Sequence, residues 1–221
     1  MMLRIILTFF LLLSSYSLFA QQDLGLEKQL LVKVSPLSFF EPETIIIQGG
    51  LEYFFSNEVS IQSELGVNGG LFGMKAGRGK NEDFRIWRSK SELKFYSKKY
   101  YWAIDFFVVN KDFIRIDDHY MPFKREIHYN RARIEFQVFG GGLKFGKQLF
   151  ISKNLVMDMY GGLGIRCRYR DVEVLELAEF QNREFFEIGN PFAERYRFTG
   201  WDTVPHLTIG IKVGILTGDL D

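Results

Sequence analysis

Cysteine is nearly absent: Cys167 stands alone in 221 residues, so no internal disulfide can brace the fold. Proline is also scarce, at 5 residues, which leaves long stretches free to pair as strands. Charge of one sign is missing too, since 28 Lys+Arg face 27 Asp+Glu, and a nucleic-acid partner, which needs a basic face, is not expected. After the first twenty residues no run approaches the roughly 20 apolar residues of a transmembrane helix. A membrane span, if there is one, must be built from strands.

The one apolar run is at the start. Arg4 precedes Ile5 to Leu13, followed by serines and Ser17-Leu18-Phe19-Ala20, the layout of a secretory signal peptide. Residues 1–20 are therefore expected to be removed, leaving 21–221 as one domain. With Gln21 rather than Cys after Ala20, no acyl anchor is expected. Aromatic residues make up 16%, with 23 Phe, and Gly numbers 21, a composition rich in strand formers.

Period-two alternation runs through that domain. Ile45, Ile47, Gly49, Leu51 and Tyr53 alternate with Gln48, Gly50 and Glu52; Val59 to Val67 repeat the pattern against Ser60, Gln62 and Glu64. Leu93 and Phe95, Trp102 to Val108, Ala132 to Val138, Met157 to Cys167 and Leu207 to Ile215 continue it. With Leu30 to Phe39 these make eight strands, and the glycines Gly140, Gly141 and Gly142 suggest a β-bulge where the phase shifts before Leu143. Short turns near Ser56-Asn57, Ser97-Lys98-Lys99 and Ser152-Lys153-Asn154 alternate with long polar loops over Gly73 to Asp83, Asp112 to His128 and Asp171 to Asp202; the first outer turn, Glu41-Pro42-Glu43, is short. Aromatics crowd the short-turn ends: Tyr53 to Phe55, Phe95, Tyr96, Tyr100 to Trp102, Phe145 and Phe150. Tight turns on one side, long loops on the other and aromatic belts are the pattern of outer-membrane barrels. The expected fold is all-β, an eight-stranded antiparallel up-and-down transmembrane β-barrel with both termini periplasmic. Alternation alone leaves a soluble lipocalin-like barrel, binding a small apolar ligand, as the alternative.

The stretch Phe139-Gly140-Gly141-Gly142-Leu143-Lys144-Phe145-Gly146-Lys147, the run Leu155 to Arg168 and the closing strand His206 to Leu216 resemble the small, mostly uncharacterised outer-membrane barrel families of Bacteroidota, porin-like or OmpA-like in build. That resemblance implies an integral outer-membrane location and transfers no catalytic residues. The chain departs from it in ending Gly218-Asp219-Leu220-Asp221, without a terminal aromatic.

Candidate chemistry is sparse. His206 and Thr208 share one face of the last strand, as a base and hydroxyl of a lipid A deacylase would, with Thr in place of Ser. Asp117, Asp118, His119 and His128 could meet as a metal site across a hairpin, but a solvated loop is the expected reading. Gly73 to Lys80 lacks the spacing of a phosphate-cradling loop. Asp171, Glu173, Glu176, Glu179, Glu184 and Glu187, with Phe180, Phe185, Phe186 and Phe192, suit either a self-packed hairpin or contact with a surface protein or glycan. Inside the barrel, Glu135 is expected to pair with Arg168. The expected protein is a monomer without catalytic residues, cofactor or metal, held by outer-membrane lipid, with a packed polar lumen and a structural or surface-interaction role.

Overall fold

The computed structural model describes residues 26–40, 45–69, 81–120, 127–179 and 199–217. Residues 1–20, expected to be a signal peptide, the first outer turn Glu41-Pro42-Glu43, Gly73 to Lys80 and the residues from Phe180 to Phe192 lie outside them. Eight strands, β1 (Leu30–Val34), β2 (Ile46–Phe54), β3 (Val59–Asn68), β4 (Asn81–Ser97), β5 (Tyr100–Tyr120), β6 (Ile127–Phe150), β7 (Leu155–Leu177) and β8 (Gly200–Thr217), pair antiparallel in sequence order. β8 returns to β1, so the sheet closes into a barrel.

The stagger of that closure follows from the register. Partners traced from Val34 through Gly49, Leu65, Ser89, Val108, Phe139 and Cys167 reach β8 at Thr203, whereas Val34 itself pairs with Val213, ten residues further along. For eight strands this stagger sets a tilt of about 40° and a radius of about 8 Å, so each residue climbs roughly 2.5 Å along the axis. Such a bore has room for side chains and little else.

The outer surface carries an apolar band. On β8 every outward residue from Pro205 through Leu207, Ile209, Ile211 and Val213 to Ile215 is apolar, a height of about 25 Å at this tilt. Leu143, Leu163, Leu207 and Ile209 are each more than 60% exposed in it. Aromatic pairs bound its lower edge: Tyr53 with Phe55, Phe95 stacked on Trp102 at 4.2 Å, and Tyr100 on Phe145 at 5.9 Å. At the upper edge Trp201 lies 5.1 Å from Tyr169 and 6.2 Å from Phe139.

Above that edge the polarity inverts while the register does not. On β6 the inward residues Ala132, Ile134, Phe136 and Val138 are buried and the outward Arg131, Arg133 and Glu135 are exposed. The same phase continues below, where Lys144 and Gln148 point in and Leu143 and Phe145 point out. The expected bulge at Gly140 to Gly142 is therefore absent: pairing with β5 and β7 is unbroken there. What changes is the surroundings of each face. The glycines instead make room for rings, because Phe107 lies over its cross-strand partner Gly140, Tyr101 over Gly146 and Tyr160 over Gly210.

The strands are also longer than the alternation suggested. Asp112 to Tyr120, Ile127, His128 and Asp171 to Leu177, expected in loops, belong to β5, β6 and β7, and Asn81 to Asp83 to β4. They form a wall standing about 25 Å above the band on the β4 to β7 side. β1 to β3, at 5, 9 and 10 residues, stop far lower.

Candidate functional site: the charged lumen and its upper mouth

Alternate inward positions on all eight strands meet on the axis. Lys33 and Lys94 share Asp158 Oδ2, at 2.6 and 2.9 Å, and both pair with Glu52. The Gln62 amide oxygen accepts from Lys94 at 2.6 Å and from Lys33 at 3.3 Å. The hydroxyls of Tyr101 and Tyr96 donate to Asp158 and Glu52, each at 2.6 Å. A step higher, Lys212 bridges Glu64 and Glu92, and Lys144 bridges Glu92 at 2.7 Å and Asp105 at 3.0 Å. Lys90 reaches Glu92 at 3.1 Å, and the ammoniums of Lys90, Lys144 and Lys212 surround the Tyr160 ring at 4.7 to 5.1 Å.

Five lysines thus balance five carboxylates in one nearly water-free layer. Burying a single unpaired charge costs several kcal/mol, so a lumen of this polarity is stable only because the count closes and each charge lies against one of opposite sign. Below it, Leu31, Phe54, Tyr96, Tyr101, Val156 and Leu216 form an apolar floor, capped by Leu26, whose amide donates to Asn57 Oδ1. Above it, Ile46, Phe84, Ile86, Phe113, Ile134, Phe136 and Val138 fill the β2 and β4 to β6 side.

The β7 and β8 side of the upper lumen is cationic and less tightly buried. Arg166, Arg168 and Arg170 project inward from alternate positions of β7. Arg168 holds Asp202 through two nitrogens, and Arg170 reaches the same carboxylate at 2.6 Å. Asp202 lies above the apolar band; partial burial raises its pKa, but the hydrogen bonds from Arg168 and Arg170 outweigh that and hold it below the usual carboxylate value. On the outer wall, Asp112 accepts two bonds from Arg133, which pushes that guanidinium's pKa further up.

The expected pair of Glu135 with Arg168 does not form. Glu135 is opposite Asp171 in the register and points outward, 53% exposed beside Arg133, whereas Arg168 points inward to Asp202. An error of one residue in register moves a side chain to the opposite face, and the assumed bulge supplied that error.

His206 and Thr208 do share the inward face of β8, both half-buried. The His206 ring lies 4.8 Å from Phe107 and within electrostatic reach of Arg166 and Asp105. Among the described residues no hydrogen bond joins His206 to Thr208, and Asp105 is engaged by Lys144. His119 and His128 face each other across β5 and β6, rings 5.5 Å apart, with Asp118 bonded to Arg115, and no group of three metal-ligating side chains occurs among the described residues. Asp171, Glu173 and Glu176 lie on strand β7 rather than in a loop.

The lumen network was not read from the sequence. Its signal was there, as charges at alternate positions of apolar strands, but partners up to 148 residues apart carry no local mark.

Fold and lumen define a class: closed eight-stranded up-and-down β-barrels with a plugged, charge-balanced interior. A family of proteins of unknown function, DUF3575, matches over residues 6–188, most of the chain, and the protein belongs to that family. No curated protein and no solved structure matches it.

Proposed function

We propose that the protein is an integral outer-membrane barrel of bacteria, monomeric, with periplasmic termini and a structural or surface-interaction role, in the manner of the porin-like and OmpA-like barrels that it resembles. The observation that carries this reading is the outer band. It is about as tall as the apolar belt of outer-membrane barrels, and aromatics mark both edges. In water, the ridge of Leu143, Leu163, Leu207 and Ile209 would be a large contiguous apolar patch. The polarity inversion above the band supports the same placement, because a wall leaving the bilayer must exchange its outward apolar residues for charged ones.

The wall of β4 to β7 then stands outside the cell as the surface offered to a protein or glycan. The charged layer between two apolar plugs supports a closed lumen and gives no support to the lipocalin-like reading, whose apolar faces would line the interior. A deacylase-like role has little support, since Asp105, the acid within electrostatic reach of His206, is already engaged by Lys144. Fractionation tests the placement: the chain should remain with outer membranes after carbonate washing and migrate differently on gels before and after boiling. Solubility without detergent together with identical migration would overturn it.

A further inference from the structure

The lower rim of the barrel is basic on one side. Four lysines stand at the lower ends of β4 to β7: Lys98 and Lys99 in the turn between β4 and β5, Lys147 on the outward face of β6, and Lys153 in the turn between β6 and β7. Among the described residues, these turns and the outward positions beside them carry no Asp or Glu. Below β1 to β3 the balance differs, since Glu27 pairs with Lys28 at 3.8 Å and Glu58 adds a second carboxylate.

Two of the four lysines are drawn onto the outer wall. Lys147 is the cross-strand partner of Tyr100, and its ammonium lies 5.6 Å from the centre of the Tyr100 ring. The Lys99 ammonium lies 5.9 Å from the same ring, and the Gln148 amide donates to the Lys99 carbonyl at 2.8 Å, which holds the turn against β6. Tyr100 is itself stacked on Phe145 at the lower edge of the apolar band. A ring face attracts an ammonium only weakly at an exposed site and supplies no counter-charge. Both lysines are half-buried, and among the described residues neither they nor Lys98 and Lys153 have a carboxylate partner. In the lumen, by contrast, every ammonium lies against a carboxylate. Directly above Tyr100 and Lys147 the outward pairs Trp102 with Phe145 and Ile104 with Leu143 are apolar, each about half exposed or more.

We infer that Lys99 and Lys147, above the Tyr100 ring, bind the phosphate of an anionic glycerophospholipid in the periplasmic leaflet. Lys98 and Lys153 strengthen the field around that phosphate, and one acyl chain lies along Trp102, Phe145, Ile104 and Leu143. Charge complementarity selects an anionic head over a zwitterionic one. The place of the two ammoniums, on the wall at the edge of the apolar band rather than at the turn tips, selects a lipid over a soluble anion. The site lies beneath the tall wall of β4 to β7 and anchors that side of the barrel. The inference rests on the membrane reading above.

The test uses the full barrel with Trp87→Phe and Trp201→Phe, which leave Trp102 as the sole tryptophan. In phosphatidylcholine vesicles holding a minor fraction of phosphatidylglycerol brominated on its acyl chains, quenching of Trp102 should report a local enrichment on the order of tenfold, since each lysine near an anionic head contributes a factor of about five. Brominated phosphatidylcholine at the same fraction should show no enrichment. Lys99→Gln with Lys147→Gln should abolish the excess, Lys99→Arg with Lys147→Arg should keep it, and Lys28→Gln should leave it intact, the gel-mobility shift confirming that each variant is folded. Equal quenching by the two brominated lipids, or an excess that survives the double glutamine change, overturns the site. Glycerol 3-phosphate added to the water phase should leave the excess unchanged; its loss at concentrations matching the lipid would make the ligand a soluble phosphate and overturn the lipid assignment. Vesicles of brominated phosphatidylcholine alone separate the two readings. Absence of quenching there means that the band is not in lipid and the membrane reading has failed. Strong quenching there, without preference for phosphatidylglycerol in the mixed vesicles, rejects the site alone.

Discussion

Lys94 on β4 donates across the bore to Asp158 on β7, 64 residues later in the chain, at 2.9 Å, and both side chains are fully buried. Lys33 holds the same carboxylate oxygen from β1 at 2.6 Å. This one carboxylate therefore ties together three strands that are not neighbours in the sheet.

Removing Asp158 should be among the most damaging single changes. Asp158→Asn leaves two buried ammoniums short of a counterion, and a loss of about 3 to 5 kcal/mol is expected. The double change Asp158→Asn with Lys94→Gln restores the balance and should cost clearly less than the sum of its parts. Denaturant unfolding of the barrel in detergent, followed by the loss of gel-mobility shift, measures both.

The apolar band makes a positional prediction. Leu143→Arg, at mid-height of the band, should cost about 2 to 4 kcal/mol in vesicles. Glu135→Arg, eight residues earlier on the same outward face of β6 but above the band, should change stability by less than about 1 kcal/mol. Equal effects at the two positions would show that the band is no thicker or drier than the wall.

Two neighbouring glycines should respond oppositely. A Cβ on Gly164 would run into the backbone of Gly141 and Gly142 on β6, whereas at Gly161 the nearest atom, the Thr208 carbonyl oxygen, is 3.8 Å away. Gly164→Ala should lower the unfolding midpoint markedly. Gly161→Ala should leave it unchanged or raise it, since alanine also narrows the unfolded ensemble.

Asp202 gives the acid limb of the stability curve its sign. Its folded-state pKa is depressed, so its contribution is fully present above the ordinary aspartate value of about 3.9 and is lost as pH falls through the folded value. Unfolding midpoints of the wild type and Asp202→Asn should differ most at neutral pH and converge in acid. A difference that grows on acidification would contradict the Arg168 and Arg170 pairing.

Composition and alternation determined a good deal on their own. Period two fixed the strand type, the count of eight and the antiparallel order, because a strand's two faces are written into successive residues. The inward placement of His206 and Thr208 was equally legible. The sequence could not say which face of β6 points inward above Val138: Ile134 and Arg133 alternate in the same way whether the surroundings are lipid or water. Reading the outward face as apolar throughout produced the false bulge at Gly140 to Gly142, and with it the false partner for Glu135. The lumen network was decided only by closure. A stagger of ten residues brings Lys33, Lys94 and Asp158 to one height.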